Sequence, residues 1–268
     1  MSKVVPPDDE LIADPVAAWD AVADLWDAFV EGGHDRWREQ VHGPALLAAC
    51  GEVAGARVLD LGCGQGWFSR QLAMRGAQVT GVDMARGQIA HALRHEEEQP
   101  LGIDYRHLDA REIADVWPAG AFDLITGCMV LQDTPHAGEI LRAARQVLAP
   151  GGQIALSVPH PVTSGAEAGW LRGPDEAKGA RWIDHYFQWQ PDVLDWKSGD
   201  PAKPWRTPRW HRTLETWGSL IEAAGLCLTQ MAEPRPSPAQ IAADPSMEPA
   251  SRIPYFLIMV LQPHLLDR

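Results

Sequence analysis

The residues best placed to do chemistry follow short apolar runs. Val58-Leu59-Asp60-Leu61-Gly62-Cys63-Gly64-Gln65-Gly66 drives a strand-like run into three glycines at alternate positions. Glycine tolerates unusual dihedrals and has no Cβ, so a ligand can approach the backbone closely. The helix expected from Trp67 then presents free N–H groups to that turn. A second apolar run, Val79-Thr80-Gly81-Val82, ends in Asp83. A carboxylate there can accept hydrogen bonds from both hydroxyls of a ribose. A third, Tyr105-Arg106-His107-Leu108, ends in Asp109, which could take an amino group or merely cap the next helix. The turn is neither a dinucleotide fingerprint nor a phosphate loop. Trp67 stands where the first needs a third glycine, and the Gly-Lys-Ser/Thr of the second is missing.

Proton-transfer candidates are histidines near the same strand ends. His160 directly follows the run at 153–158, His136 follows the run at 122–127 by a short loop, and His211 precedes a late helix. Their ordinary titration near neutrality suits a base. His160 is the first choice, from position alone. His91 and His95 have i,i+4 spacing, but no third ligand is evident and HExxH is absent, so a solvated helix face is expected and no metal.

The elements that must position these residues alternate. Strands are predicted at 57–61, 78–83, 103–107, 122–127 and 153–158, with helices at 67–75, 85–98 and 137–148. That rhythm predicts an α/β fold, a mainly parallel sheet with helices on both faces and all strand carboxyl ends on one edge. Asp14-Pro15 starts a helix whose Trp19, Val22, Trp26, Phe29 and Val30 form a stripe, stopped at Gly32-Gly33. A further helix is expected at 44–50, after residues 1–13 as a loose tail. The stretch 163–210 breaks the rhythm and carries six of the twelve tryptophans. Its Trp182, His185, Tyr186 and Trp189 would wall a substrate pocket as a lid, or simply cover sheet edges. A helix at 214–224, strands at 226–231 and 255–261, and a proline-rich loop at 233–253 complete the chain.

The 268 residues carry a formal net charge of −13, which moves the expectation toward small substrates and away from nucleic acid or anionic membranes. Cys50, Cys63, Cys128 and Cys227 show no CxxC spacing, and no secretory signal or membrane span is apparent. A cytoplasmic location is expected.

In order and spacing, five segments resemble the class I S-adenosylmethionine-dependent methyltransferases: the glycine turn, the Asp83 and Asp109 strand ends, the run 122–131, and Leu148-Ala149-Pro150-Gly151-Gly152. The flanking Ser157-Val158-Pro159-His160-Pro161, His211-Arg212-Thr213-Leu214 and Glu233-Pro234-Arg235-Pro236 resemble small-molecule members more loosely. The resemblance implies a Rossmann-like seven-stranded sheet, order 3-2-1-4-5-7-6 with strand 7 antiparallel. It implies one domain over 1–268, with an N-terminal helical cap at 1–55 and the insert at 163–210 over the active site. It further implies S-adenosylmethionine as donor and S-adenosylhomocysteine as product. Asp60, Gly62, Cys63 and Gly64 would meet the methionine part, with Cys128 near its amino group. Asp83 would meet the ribose, Met84 and Ala110 the adenine faces, and Asp109 the adenine amino group. The expected reaction is in-line transfer to an O or N atom of a small molecule, by a monomer or homodimer. A nucleic-acid methyltransferase is the alternative, disfavoured by the charge and by Gly127-Cys128-Met129-Val130 where an Asn/Asp-Pro-Pro-aromatic motif would stand. A non-catalytic donor-binding protein and a metal-assisted enzyme using Gln132 and Asp133 are the others.

Overall fold

The computed structural model describes residues 8–165, 167–173, 178–188, 191–196 and 205–264. Helices α1 (Asp8–Ala13) and α2 (Pro15–Glu31) open the chain. Asp14 Oδ1 caps α2 by accepting from the Ala17 N–H at 2.9 Å, with Pro15 at the first helical position. A π-helical turn, Arg38–His42, leads into α3 (Gly43–Cys50). The central alternation then runs β1 (Arg57–Leu61), α4 (Trp67–Ala73), β2 (Gln78–Asp83), α5 (Arg86–Glu98), β3 (Asp104–His107), α6 (Ile113–Val116) and β4 (Phe122–Cys128). After a 3-10 turn, Leu131–Asp133, come α7 (Ala137–Val147), β5 (Leu148–Pro159) and α8 (Pro161–Ser164).

The region expected to be one long connection is instead two antiparallel hairpins, β6 (Glu167–Arg172) with β7 (Lys178–Asp184) and β8 (Pro191–Trp196) with β9 (Trp205–Trp210). The chain closes with α9 (Leu214–Ala223), β10 (Leu226–Ala232), α10 (Pro238–Ala243), a 3-10 segment Pro245–Ser251 and β11 (Phe256–Pro263). Helix therefore replaces part of the tail expected at 1–13 and of the loop expected at 233–253.

The main sheet has the order β10-β11-β5-β4-β1-β2-β3, and β11 runs antiparallel to both β5 and β10. With the four insert strands set aside, this is the expected 3-2-1-4-5-7-6. Both faces are covered, which is why β1 reads as a nearly unbroken apolar run. Leu59 and Leu61 pack on one side with α7 and α9, and Val58 packs on the other with Phe68 and Leu72 of α4. The parallel register leaves the ends of β1 to β5 on one edge.

Helix α2 is fastened over that edge from two sides. On α5, His95 Nε2 lies 2.7 Å from Asp27 Oδ1 and Arg94 Nη2 2.5 Å from Asp27 Oδ2. His95 is thus buried against α2, not on the solvated face expected for it. From the insert, Trp196 and Trp205 face each other across the β8–β9 ladder and stack at 4.8 Å, 2° from parallel. The Trp26 ring meets both edge-on at 5.3 and 5.6 Å.

Candidate active site

The glycine turn is built on positive φ at Gly62 (+58°), Gly64 (+56°) and Gly66 (+93°). A Cβ at Gly62 would overlap Val130, so both conformation and space demand glycine there. Asp83 ties this turn to the next one. Its Oδ2 accepts from the Gly64 N–H at 2.9 Å and its Oδ1 from the Ala85 N–H at 2.8 Å. Burial pushes the Asp83 carboxyl above its ordinary range, against the pull of those two donors. Behind it, Asp60 is wholly buried and accepts from Ser69 Oγ at 2.7 Å and Thr126 Oγ1 at 2.8 Å. Burial raises Asp60 from 3.8 to about 6.

At the end of β4 the backbone is strained. Met129 has φ +56°, and its N–H donates to Ser157 O at 3.0 Å and Ser157 Oγ at 3.1 Å. The 3-10 turn that follows is held from beneath by Arg212. Its Nη1 donates to Leu131 O at 2.8 Å and its Nη2 to Thr134 O at 2.5 Å. Burial lowers Arg212 only to about 10, so it stays cationic at neutral pH.

These elements surround a cavity of about 550 Å³, in the range of small-molecule sites. Its lining includes Asp60, Gly62, Cys63, Gly64, Asp83, Met84, Asp109, Ala110 and Cys128, the donor-site residues expected from the sequence. Asp109 already accepts from the Arg111 N–H and Nε, both at 2.8 Å. Burial pushes its carboxyl up, but these Arg111 bonds win and hold it below the usual range. Burial pushes the Cys128 thiol up to about 12, so it carries no charge.

Of the three candidate bases, only His136 reaches this cavity, with its Nδ1 2.9 Å from Glu139 Oε1. His160 does not. Pro161 starts α8 directly behind it, so its Nδ1 turns back to accept from the Val162 N–H at 3.2 Å, and its Nε2 pairs with Glu233 at 3.0 Å. Nor does His211, whose Nε2 donates to Tyr186 O at 2.9 Å while its Nδ1 lies 3.3 Å from Ser164 Oγ. Trp182, His185 and Tyr186 are also absent from the lining, and the Tyr186 hydroxyl instead accepts from the Leu214 N–H at 3.1 Å. Tyr186, through its carbonyl to His211 and its hydroxyl to Leu214, fastens the insert to the body. Trp189 lies outside the described residues. The insert reaches the cavity through Leu194, Trp196 and Arg209.

The π-helical turn supplies residues the sequence reading passed over. Arg38 is buried, held by Asp35 Oδ2 at 2.9 Å (Nε) and 2.6 Å (Nη2), with its guanidinium 4.8 Å from the Trp26 ring and 5.4 Å from the Trp67 ring. His42 is buried too, its Nδ1 without a hydrogen-bond partner, and burial drives it down to about 3, hence neutral. On α5, Gln88 is buried with both amide ends unpartnered. All three line the cavity. Only the i,i+4 spacing of Arg38 and His42 hinted at a shared face.

Comparison with known proteins agrees with this geometry. The family described as "Methyltransferase domain" matches residues 58–152. A solved S-adenosylmethionine dependent methyltransferase from Mesorhizobium loti is 30% identical, over 81% of this chain and 95% of that one, with a TM-score of 0.68. The chain belongs to the S-adenosylmethionine-dependent methyltransferases. A Listeria monocytogenes structure, 23% identical with a TM-score of 0.67 over 82% of this chain and 95% of that one, shares the fold. Ubiquinone biosynthesis O-methyltransferase from Pseudomonas aeruginosa is 41% identical over 105 residues, 39% of this chain and 45% of that protein. The chain thus spans about half the length of the curated relatives it matches. The donor that names the family, S-adenosylmethionine, fits these residues: the unpartnered buried amide of Gln88, close to Gly64, suits a ligand rich in hydroxyls and amines. Among the described residues, no helix is long and apolar enough to cross a membrane.

Proposed function

We propose that this methyltransferase transfers a methyl group to an oxygen atom of a small, largely apolar molecule held in the same cavity as the donor. The observation that carries the proposal is the cavity's mixed lining. Beside the turn of Gly62, Gly64 and Asp83 it presents the apolar Trp37, Trp196, Leu194 and Phe256, with Asp133 and Arg209 as polar points. The name of the Pseudomonas aeruginosa relative supports oxygen as the acceptor atom. The acidic chain disfavours a nucleic-acid substrate, which needs cations against phosphates.

In this reading Asp83 accepts from the ribose hydroxyls, with Gln88 beside it. Met84 and Ala110 flank the adenine and Asp109 meets its amino group. The backbone from Asp60 to Gly64 and at Cys128 lies along the methionyl part, and Arg38 offers its charge to the carboxylate. Bound S-adenosylmethionine supplies an electrophilic methyl group on a sulfonium, open to in-line displacement. The protein's share is orientation and exclusion of water, for which hairpin β8–β9 and α2 close the site as a cap.

The test is transfer from methyl-tritiated S-adenosylmethionine to matched pairs of small aromatic alcohols and amines. Label in methyl ethers supports the proposal. Label in amines alone, or in RNA in place of any small molecule, overturns it.

A further inference from the structure

Methylating a hydroxyl requires that its proton go somewhere, and two of the three expected histidines cannot take it. His160 and His211 lie off the cavity with their ring nitrogens engaged, while His136 lines it with its Nδ1 on Glu139. His42 faces the cavity but is too weak a base, since an imidazole held near 3 has little affinity for a proton. The Cys128 thiol is fully protonated.

The other candidate is a carboxyl group. The 3-10 turn after Met129 carries Gln132 and Asp133 into the cavity lining, beside Met129, Pro159 and Arg209. The turn is fixed on every side: the Asp133 N–H donates to Val130 O at 2.9 Å, and the Arg212 guanidinium grips Leu131 O and Thr134 O from below. Gln132 Nε2 bridges Met129 O at 2.5 Å and Asp133 Oδ2 at 3.0 Å, which orients the carboxyl. That same amide leaves its Oε1 buried with no partner, an acceptor waiting for a second donor group on a ligand. We infer that Asp133 is the general base of this methyltransferase, taking the proton of the acceptor hydroxyl, with Gln132 positioning it and receiving a further donor from the substrate.

The assignment rests on the oxygen-acceptor reading above. In the step, the acceptor O–H bond breaks and its proton passes to the Asp133 carboxylate. An oxygen electron pair forms the new C–O bond as the methyl C–S bond breaks, leaving its pair on sulfur. Asp133 then gives the proton to solvent. Burial pushes the Asp133 carboxyl well above its ordinary value, opposed by Gln132 and by the cations Arg209 and Arg212, and assisted by the charge of Asp83. Arg209 is itself paired with Asp192 at 2.7 Å. A sulfonium in the same cavity favours the ionised carboxylate, so the base forms as the donor arrives. Because the carboxylate is the working form, kcat must rise with pH through the raised pKa of Asp133.

The experiment measures kcat, KM and donor affinity for wild type, Asp133→Asn and Asp133→Glu, using a panel of phenols and S-adenosylmethionine from pH 5.5 to 9.5. The expected result for Asp133→Asn is a fall in kcat of about 10²–10⁴-fold with loss of the rising limb. Calorimetric donor affinity should stay within about threefold, and Asp133→Glu should restore part of the rate with a displaced limb. A kcat within about threefold of wild type with an unchanged limb overturns the assignment. So does an equal collapse of donor binding, which would make Asp133 part of the donor site. A rate that collapses in His136→Gln but persists in Asp133→Asn gives the role to His136 instead. If wild type methylates amines and no phenol, the oxygen-acceptor reading itself falls, whatever the variants do.

Discussion

Asp60 allows a worked test of how the site is held. Its carboxyl sits under the glycine turn, wholly buried, joining β1 to α4 through Ser69 and to β4 through Thr126. Burial outweighs those two hydroxyl donors and lifts it from 3.8 to about 6. The folded protein therefore holds this proton more tightly than the unfolded chain does. The group's stability contribution is complete below pH 3.8 and is lost as pH rises through about 6. At 1.36 kcal/mol per pKa unit, the loss by pH 8 is ~3 kcal/mol. Asp60→Asn removes the titration while keeping an oxygen to accept from one hydroxyl. Urea denaturation of both proteins between pH 4.5 and 8 should show the stability gap shifting by about 2 kcal/mol in favour of Asn, levelling off above about 6. Ser69→Ala in the Asp60 background removes a donor to the carboxylate and should move that levelling-off to higher pH. A gap independent of pH would refute the reasoning, because Asp60 would then titrate alike folded and unfolded.

Three further outcomes follow from the same geometry. Arg212→Met leaves the buried carbonyls of Leu131 and Thr134 unpaired and should cost about 2 kcal/mol, visible as a Tm lower by roughly 5 °C. Arg38→Ala removes the guanidinium that Asp35 presents to the cavity and should raise the Kd for S-adenosylmethionine about tenfold by calorimetry, while leaving the half-buried Asp35 without its cation. Transfer should survive a chelator. Among the cavity carboxylates, Asp60, Asp109 and Asp35 are each held by side-chain donors, and the cluster of Asp27, Glu31 and His95 already has Arg94 on Asp27.

The central half of the fold was legible because buried parallel strands write themselves as apolar runs, and Gly62, Gly64 and Asp83 stand at their ends. The insert was not legible. The strands β6 to β9 mix glycine, charge and tryptophan, and their regularity comes from cross-strand pairs such as Trp196 with Trp205, which sequence spacing does not reveal. The histidines show a second limit. Sequence placed His160 at the correct edge, but Pro161 turns its ring into a helix cap. His95 looked solvated because its polar face was read without α2, whose Asp27 it meets. Arg38 and His42 escaped notice because the helix was expected to begin only at 44, whereas a π-helical turn precedes it. Asp133 was weighed only as a metal ligand. Its place in the cavity depends on the strained Met129 and on Arg212, which lies 79 residues further along the chain.

The most direct test of the account is calorimetric titration of S-adenosylmethionine into the wild type and into Asp83→Ala. Asp83 is the carboxylate assigned to the ribose, and it also secures the Gly64 and Ala85 N–H groups. At ~1.5–3 kcal/mol for a hydrogen bond to a charged group, its loss should weaken binding about 100-fold or more. Micromolar binding to wild type that collapses in the variant is the predicted result. Equal affinity in both proteins would contradict the placement of the donor along this edge.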